Sequence, residues 1–193
     1  MKKMRILKFL KKDILIFITG LALVSYPVIS NYIESREQAD QIDTYNSSVS
    51  ELSRANKQLM LNEAHEWNDN LYSKQKGLLE NSELKYDNIL NFGNGVIGTV
   101  EIPKIKVNMP VYHGTDSDVL NVGAGHLEDS SLPVGGNNTH TVLTGHRGLP
   151  SSKLFTRLDE LKKGDLFFIK VIDETLAYKI NKIEVVLPDK VSY

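Results

Sequence analysis

The stretch Thr141-Val-Leu-Thr-Gly-His-Arg-Gly148 is central to both the fold and the chemistry of this 193-residue chain. Its short apolar run is typical of a β-strand, and the run ends in a titratable ring between two glycines. Such glycines let a backbone or a substrate come close, and a histidine can serve there as a general acid or base. The pattern alone leaves a second interpretation open, in which His146 only hydrogen-bonds a loop.

Apolar segments with strand character lie on both sides of this stretch. Val96–Ile102 and Val107–His113 precede it, and Leu166–Ile172 and Leu176–Leu187 follow it, with a hairpin turn predicted over residues 173–175. Long βαβ units are missing from the pattern. The sequence therefore predicts a mainly β domain, built as a barrel or a curled sheet.

Shorter features fill the gaps between these strands. Residues 116–127 are predicted to hold a short helix, and Lys153–Leu161 a second one, capped by Ser151 or Ser152. Pro110 cannot donate a ladder hydrogen bond, so it predicts an edge strand or a bulge within Val107–His113.

The N-terminus has a different composition. Ile14–Ile33 contains no charged residue, and twenty helical residues span about 30 Å, the thickness of a bilayer's hydrocarbon core. Residues 2–12 contain six basic residues and no acidic one, so the N-terminus is predicted to be cytoplasmic and the rest extracellular. The run is longer than a usual signal-peptide core and no clear cleavage site follows, which favours a retained transmembrane anchor over a cleaved signal peptide or a buried core helix.

Residues 34–76 are predicted to be helical because glycine and proline are absent. An apolar stripe at 3-and-4 spacing continues past a shift in phase near Leu61. Its members are Ile42, Tyr45, Val49, Leu52, Leu59, Ala64, Trp67 and Leu71. The stripe is short and broken, so we expect it to pack on its own domain rather than form a coiled coil, with Trp67 as a packing residue. Turn-forming residues then dominate Gly77–Gly95.

Composition excludes several kinds of function. The formal net charge is −1, so no overall field attracts nucleic acid. The chain has no cysteine, which excludes disulfides, thiolate metal sites and a cysteine nucleophile within these residues. The histidines are His65, His113, His126, His140 and His146. None has a compact metal-binding spacing, and phosphate-binding and serine-hydrolase motifs are also missing, so we expect no metal or cofactor.

Ordered motifs from about residue 62 to the last residue resemble the class C sortases. Thr144-Gly-His-Arg-Gly-Leu-Pro150 with Lys153-Leu-Phe-Thr156 is similar to that family's histidine segment, and Ala64-His-Glu-Trp67-Asn68-Asp-Asn-Leu71 to its A-x-x-Y-N-x-x-L motif, with tryptophan replacing tyrosine. Further matching stretches are Gly98-Thr-Val-Glu-Ile-Pro-Lys-Ile105, Pro110-Val-Tyr-His-Gly-Thr115, Gly125-His-Leu-Glu128, Ser131-Leu-Pro-Val-Gly-Gly-Asn-Asn-Thr-His140 and Glu174-Thr-Leu-Ala-Tyr178.

The resemblance implies a membrane-anchored cysteine transpeptidase of Gram-positive bacteria, built on an eight-stranded β-barrel. Its thiolate would cleave the Thr–Gly bond of an LPxTG-like sorting signal, and a lysine amine of a pilin subunit would resolve the thioacyl intermediate. The implied partners are therefore pilin subunits and the membrane, with no nucleic acid. The triad histidine maps onto His146. Arg147 adjoins it but does not correspond to the family's catalytic arginine.

One sequence feature differs from the class C sortases, and another only resembles their sorting-signal substrate. Class C sortases often carry a D-P-aromatic lid before the barrel, and Gly77–Gly95 contains no such tripeptide, so we expect no lid of that kind beside His146. The stretch Leu132-Pro-Val-Gly-Gly136 superficially resembles a sorting signal. It lies in an internal polar loop, and we interpret it as a turn.

These patterns predict an incomplete sortase-type β-barrel, mainly β, preceded by a transmembrane helix and a helical N-terminal extension. The expected domains are a cytoplasmic tail at 1–13, the anchor at 14–33, a helical extension and linker at 34–91, and the partial barrel at 92–193. The family's cysteine and arginine would follow residue 193, so this chain is expected to be inactive and only marginally folded. The alternative is a non-catalytic, membrane-tethered relic or fragment that binds a sortase or a pilin.

Overall fold

The computed structural model describes residues 2–78, 84–148 and 154–187. Three α-helices and six β-strands follow one another along these residues, joined by short 3₁₀ turns. The helices are α1 Lys2–Glu51, α2 Arg54–Gln75 and α3 Ser117–Val122. The strands are β1 Val96–Ile102, β2 Val107–His113, β3 Ala124–His126, β4 Leu143–Thr144, β5 Leu166–Val171 and β6 Glu174–Lys179.

The helical N-terminal part consists of two helices rather than one continuous helix beyond the apolar run. α1 ends at Glu51, and Ser53 then starts α2 by accepting a hydrogen bond from the backbone N–H of Asn56 at 3.1 Å. A side-chain oxygen that satisfies a free N–H at a helix start is a strong N-terminal signal. Glycine and proline are therefore not needed for the break.

The break also changes which apolar residues are buried. Tyr45 and Val49 of α1 are buried, whereas Leu59 of α2 is 60% exposed and Leu61 takes the buried position. The predicted stripe is therefore wrong at Leu59, because α2 starts a new helical phase at Ser53. The prediction that the helical extension packs on its own domain is confirmed by the shared core of helix and strand residues.

The six strands form one mixed sheet in the order β4-β3-β2-β1-β5-β6. All neighbouring pairs are antiparallel except β2 and β3, which run parallel. β3 pairs with β2 only from Val111 onward, so Pro110 lies just before that ladder begins and pairs with Thr99 of β1 on the other side. β2 lies inside the sheet between β3 and β1, so the edge strand predicted from Pro110 is wrong. The proline is accommodated because it lies just before the β2–β3 ladder begins.

The helical extension binds the sheet through one buried phenol. The hydroxyl of Tyr45 accepts a hydrogen bond from the backbone N–H of Ile172 at 2.7 Å and donates to the carbonyl of Ile97 at 3.4 Å. Ile172 has a φ of 55°, an uncommon conformation for a β-branched residue, and it forms the β5–β6 turn with Asp173. This turn lies one residue earlier than the predicted one.

Two sequence predictions about the last part of the chain are wrong. The predicted strand 176–187 starts two residues earlier and ends at Lys179, beyond which β5 offers no further register partner. Residues 154–161 form a turn and the 3₁₀ helix Leu158–Glu160 rather than an α-helix, and the predicted caps Ser151 and Ser152 lie outside the described residues. The curled, mainly β architecture itself is confirmed.

Candidate active site

His146 lies two residues beyond the end of β4. In the ladder between β3 and β4, Gly125 faces Thr144 and His126 faces Leu143, which fixes the direction in which the chain leaves the sheet. The carbonyl of His146 accepts a hydrogen bond from the backbone N–H of Phe155 at 3.2 Å. The side chain is half-buried. The strand-end position predicted for this residue is therefore present, whereas its catalytic role stays a prediction.

Glycine is required at position 145 and favoured at position 148 for two different physical reasons. A Cβ on Gly145 would lie 2.7 Å from Cδ2 of Phe155, closer than real side chains approach one another. Gly148 has a φ of +87°, which disfavours residues with a Cβ, and its N–H donates to Thr156 Oγ1 at 3.1 Å. Gly145 thus lets the chain pass close to the ring of Phe155, and Gly148 lies within hydrogen-bonding distance of Thr156.

An apolar cavity of about 620 Å³ reaches the two residues that precede His146. It lies between β4, the inner faces of β1, β5 and β6, and the turn 154–161. Its principal lining residues are Val100, Leu143, Phe155, Phe167, Ile169 and Tyr178. Thr144 and Gly145 line this cavity and His146 is the next residue in the chain, so a titratable residue lies beside a largely apolar cavity, a common arrangement for an active site.

Arg147 points to the surface instead. Its guanidinium lies 3.3 Å from Oδ1 of Asp159, and both side chains are more than half exposed. An exposed ion pair of this kind contributes little to stability. This placement fits the interpretation that Arg147 is not a catalytic arginine.

The other histidines differ sharply in environment. His140 is exposed, while its backbone N–H donates to Ser131 Oγ at 3.0 Å. His113 and His126 pack around Tyr86, with ring centroids 4.9 and 5.7 Å from the phenol. Burial lowers the pKa of His113, and it lowers the pKa of the fully buried His126 to about 4. Both rings are therefore neutral at physiological pH.

A hydrogen-bond network joins Tyr86 to the loop before β4. The Tyr86 hydroxyl lies 2.8 Å from His126 Nδ1, and His126 Nε2 lies 2.8 Å from the carbonyl oxygen of Ser131. The phenol oxygen also accepts from the N–H of Gly114 at 3.1 Å. Sequence reasoning missed this network. Its only signal was the Gly125-His-Leu-Glu128 motif, to which no role was assigned.

The same loop is held from the other side by Asn68 of α2. Its side-chain amide donates to the carbonyl of Leu132 at 3.0 Å and accepts from the N–H of Leu132 at 2.7 Å. Leu132 itself is fully buried, so the stretch 132–136 belongs to a structural loop. The interpretation of Leu132-Pro-Val-Gly-Gly136 as a turn fits this placement.

Two aromatic residues of the linker between α2 and β1 are packed against other groups. Tyr86 contacts Trp67, whose ring centroid is 5.8 Å away, in addition to the two histidines. Phe92 makes an edge contact with Tyr45, at 4.9 Å between centroids. Residues 79–83 of this linker lie outside the described residues. The absence of a D-P-aromatic lid beside His146 therefore stays a prediction.

Comparison with known proteins places this geometry in a family. Residues 100–193 match the model of the sortase domain. The crystal structure of sortase C1 from Streptococcus agalactiae aligns with a TM-score of 0.71 and 39% identity, over 78% of this chain and 80% of that one. Sortase C from Streptococcus pneumoniae, in a structure described as giving insight into catalysis and pilin substrate specificity, aligns with a TM-score of 0.69 and 41% identity, over 78% of each chain.

The chain belongs to the sortase family, and its solved structural relatives include sortases of class C. A curated relative, Sortase D of Bacillus subtilis (strain 168), is 39% identical over 95 residues. That match spans 49% of this chain and 45% of Sortase D. The family resemblance noted in the sequence motifs is confirmed.

Proposed function

We propose that this chain is part of a membrane-anchored class C sortase, a cysteine transpeptidase that cleaves LPxTG-like sorting signals and joins pilin subunits through a lysine amine. The observation that carries the proposal is the position of His146 at the end of β4, beside the apolar cavity, in a sheet that aligns with sortase C1. The pilin assignment is supported by the class resemblance and by the pilin specificity ascribed to the pneumococcal relative.

The chemistry proposed for His146 is proton transfer. A cysteine thiolate, supplied by residues outside these 193, attacks the threonine carbonyl, and the Thr–Gly C–N bond breaks as the imidazolium protonates the departing amine. The product is a thioester. A pilin lysine amine then attacks that thioester and gives its proton to the imidazole, while the thiolate leaves and an isopeptide bond remains.

The test is a pair of histidine substitutions in an enzyme that contains this segment together with the cysteine-bearing region. His146→Ala is expected to reduce cleavage of an LPxTG peptide and pilin polymerisation by at least about 100-fold, because the acid–base group is removed. His140→Ala is the matched control, since His140 also lines the cavity but is exposed and hydrogen-bonds Ser131 through its backbone. Polymerisation that survives His146→Ala would refute the assignment.

The polypeptide of 193 residues is proposed to be inactive by itself. It contains no cysteine, and no serine lies in a context that would activate it as a substitute nucleophile. The chain expressed alone should give no peptide cleavage above background. Supplying the cysteine-bearing region should restore cleavage if the polypeptide is a sortase segment, whereas a non-catalytic relic or binding fragment would stay inactive.

The membrane assignment rests on one helix. Within the described part of the chain, the region Lys12–Glu51 is long and apolar enough to cross a membrane, with a mean hydropathy of 1.8 in its most apolar window. The side chains of Ile14, Phe17, Leu21, Leu23 and Val24 are each more than half exposed, as expected for a surface that meets lipid. We place residues 1–13 in the cytoplasm, 14–33 in the membrane, and the linker to 91 and the domain 92–193 outside.

A further inference from the structure

The hydrogen-bond network centred on Tyr86 lies directly behind the strand that leads to His146. We propose that Tyr86 is a positioning residue, which fixes the path of residues 140–146 through His126 and the pair Ser130 and Ser131. The functional meaning of this inference rests on the proposed role of His146. The structural coupling itself can be tested without any enzymatic activity.

The geometry assigns a direction to the first half of the network. The carbonyl oxygen of Ser131 can only accept a hydrogen bond, so His126 Nε2, at 2.8 Å, must carry the proton. Nδ1 is then an acceptor for the Tyr86 hydroxyl at 2.8 Å, and the same hydroxyl lies 3.1 Å from the backbone carbonyl oxygen of His126, so it can donate its one proton to either. The phenol oxygen in turn accepts from Gly114 N–H, just after the end of β2. The Tyr86 hydroxyl therefore donates to His126 in either case, and His126 Nε2 lies within reach of both Ser131 and, at 3.3 Å, Ser130 Oγ.

The second half of the network reaches the strand backbone. Ser130 Oγ donates to the carbonyl of Leu127 at 2.7 Å and accepts from the N–H of Val142 at 3.0 Å. Ser131 Oγ accepts from the N–H of His140, and the N–H of Ser131 donates to the carbonyl of His140 at 2.9 Å. Residues 140 and 142 are thus held by two adjacent serines.

The held backbone leads without interruption to the proposed catalytic ring. Leu127 N–H donates to the carbonyl of Val142 at 3.1 Å, and the β3–β4 ladder continues this pairing through Leu143 and Thr144. His146 follows two residues later. A shift of the loop 127–131 would therefore displace His146, and small displacements of a catalytic group lower the rate strongly.

Tyr86 is the member of this network that joins it to the rest of the chain. It comes from the linker between α2 and β1, and its ring is 5% exposed. His126 is fully buried and lies 40 residues away in sequence. The Tyr86 hydroxyl thereby couples the packing of the helical extension to the position of His146, in addition to the hydrogen bonds of Asn68 to Leu132.

Tyr45 offers a matched control for Tyr86. Both are buried tyrosines whose hydroxyl accepts a backbone N–H, from Gly114 for Tyr86 and from Ile172 for Tyr45. Tyr45 serves the β5–β6 turn instead of the loop before β4. Replacing either tyrosine with phenylalanine removes one buried hydroxyl group. An effect on His146 that came only from a general loss of stability would therefore be expected in both variants.

The experiment is side-chain NMR of the full 193-residue chain in lipid nanodiscs, recording the imidazole resonances of His146. Tyr86→Phe and, independently, Ser130→Ala should displace and broaden those resonances, whereas Tyr45→Phe should leave them at their wild-type positions. His146 resonances that stay unchanged in both Tyr86→Phe and Ser130→Ala would overturn the inference, as would an equal displacement in Tyr45→Phe. If Tyr86→Phe does not fold, Ser130→Ala decides. Loss of the proposed function would show separately, as polymerisation that survives His146→Ala.

Discussion

Acidification should destabilise this protein through His126. The ring is fully buried and binds Tyr86 and Ser131 in its neutral form, and burial lowers its pKa from an ordinary 6.5 to about 4. In the unfolded chain His126 takes up a proton below about pH 6.5, whereas in the folded chain it does so only near pH 4. The stabilising contribution is therefore complete above pH 6.5 and is lost as the pH falls toward 4.

The size of the effect follows from the difference in pKa. A difference of about 2.5 units lowers the free energy of unfolding by about 2 kcal/mol at pH 5 and about 3 kcal/mol at pH 4. Burial also lowers the pKa of His113, which adds a loss in the same direction. A change of this size is a large share even of an ordinary domain's stability of about 5–15 kcal/mol, and a larger share for a chain expected to be only marginally folded, so it is easily measured.

Urea unfolding in nanodiscs can be followed by the fluorescence of Trp67, the one tryptophan of the chain, whose ring contacts Tyr86. The free energy of unfolding should fall between pH 7.5 and pH 5. His126→Gln keeps a donor and an acceptor but does not titrate, so its stability should fall less over that interval. His140→Gln is the exposed control and should match the wild type. Equal pH dependence in wild type and His126→Gln would refute the reasoning.

Three further predictions concern the loop, the site and the topology. Asn68→Ala removes both hydrogen bonds to Leu132 and leaves its buried N–H unpaired, while its carbonyl still accepts from the N–H of Val134, so the unfolding free energy should fall by about 1–3 kcal/mol in a urea titration. Gly145→Ala places a Cβ against the ring of Phe155, and the same assay should show a loss of about 1–3 kcal/mol. Gly148→Ala, with a positive φ but open space, should cost only about 1 kcal/mol. A reporter that is active only outside the cytoplasm should be active when fused after Tyr193, and activity of a cytoplasm-only reporter there would contradict the proposed topology.

The strands near the start of the domain could be read from sequence because local signals agree there. β1 and β2 have the predicted bounds, since Pro103 ends the first apolar run and Pro110 indicates where β2 lacks one neighbour. The end of β6 could not be predicted in the same way. Residues 180–187 are as apolar as a strand, but a strand also needs a partner. Ile180 still exchanges backbone hydrogen bonds with Gly164 and Asp165, whereas β5 itself begins at Leu166, opposite Lys179.

The candidate site was predictable only in part. His146 stands out because the glycines beside it are local in sequence, and Gly145 is explained by Phe155 only once the fold is known. The environment of His126 depends on groups up to 40 residues away, whose proximity no periodicity reveals. Similarly, the N–H of Ile172, whose φ is positive, is bound by Tyr45, which lies far earlier in the chain.

The uninterrupted course of α1 has a mechanical consequence for the sheet. The same helix that contains the apolar run also contributes Ile42, Tyr45 and Val49 to the core, and its one proline, Pro27, lies before residue 33, so no loop or proline interrupts the helix between Ile33 and Ile42. Each residue of an α-helix turns the chain by about 100° and advances it by about 1.5 Å. One residue inserted between Ile33 and Ile42 would therefore rotate the mouth of the apolar cavity by about a quarter turn about the helix axis. Seven inserted residues would nearly restore the orientation of the cavity about the helix axis, and they would move the sheet by about 10 Å along that axis. The number of residues between the apolar run and Tyr45 thus sets the orientation of His146 about the axis of α1.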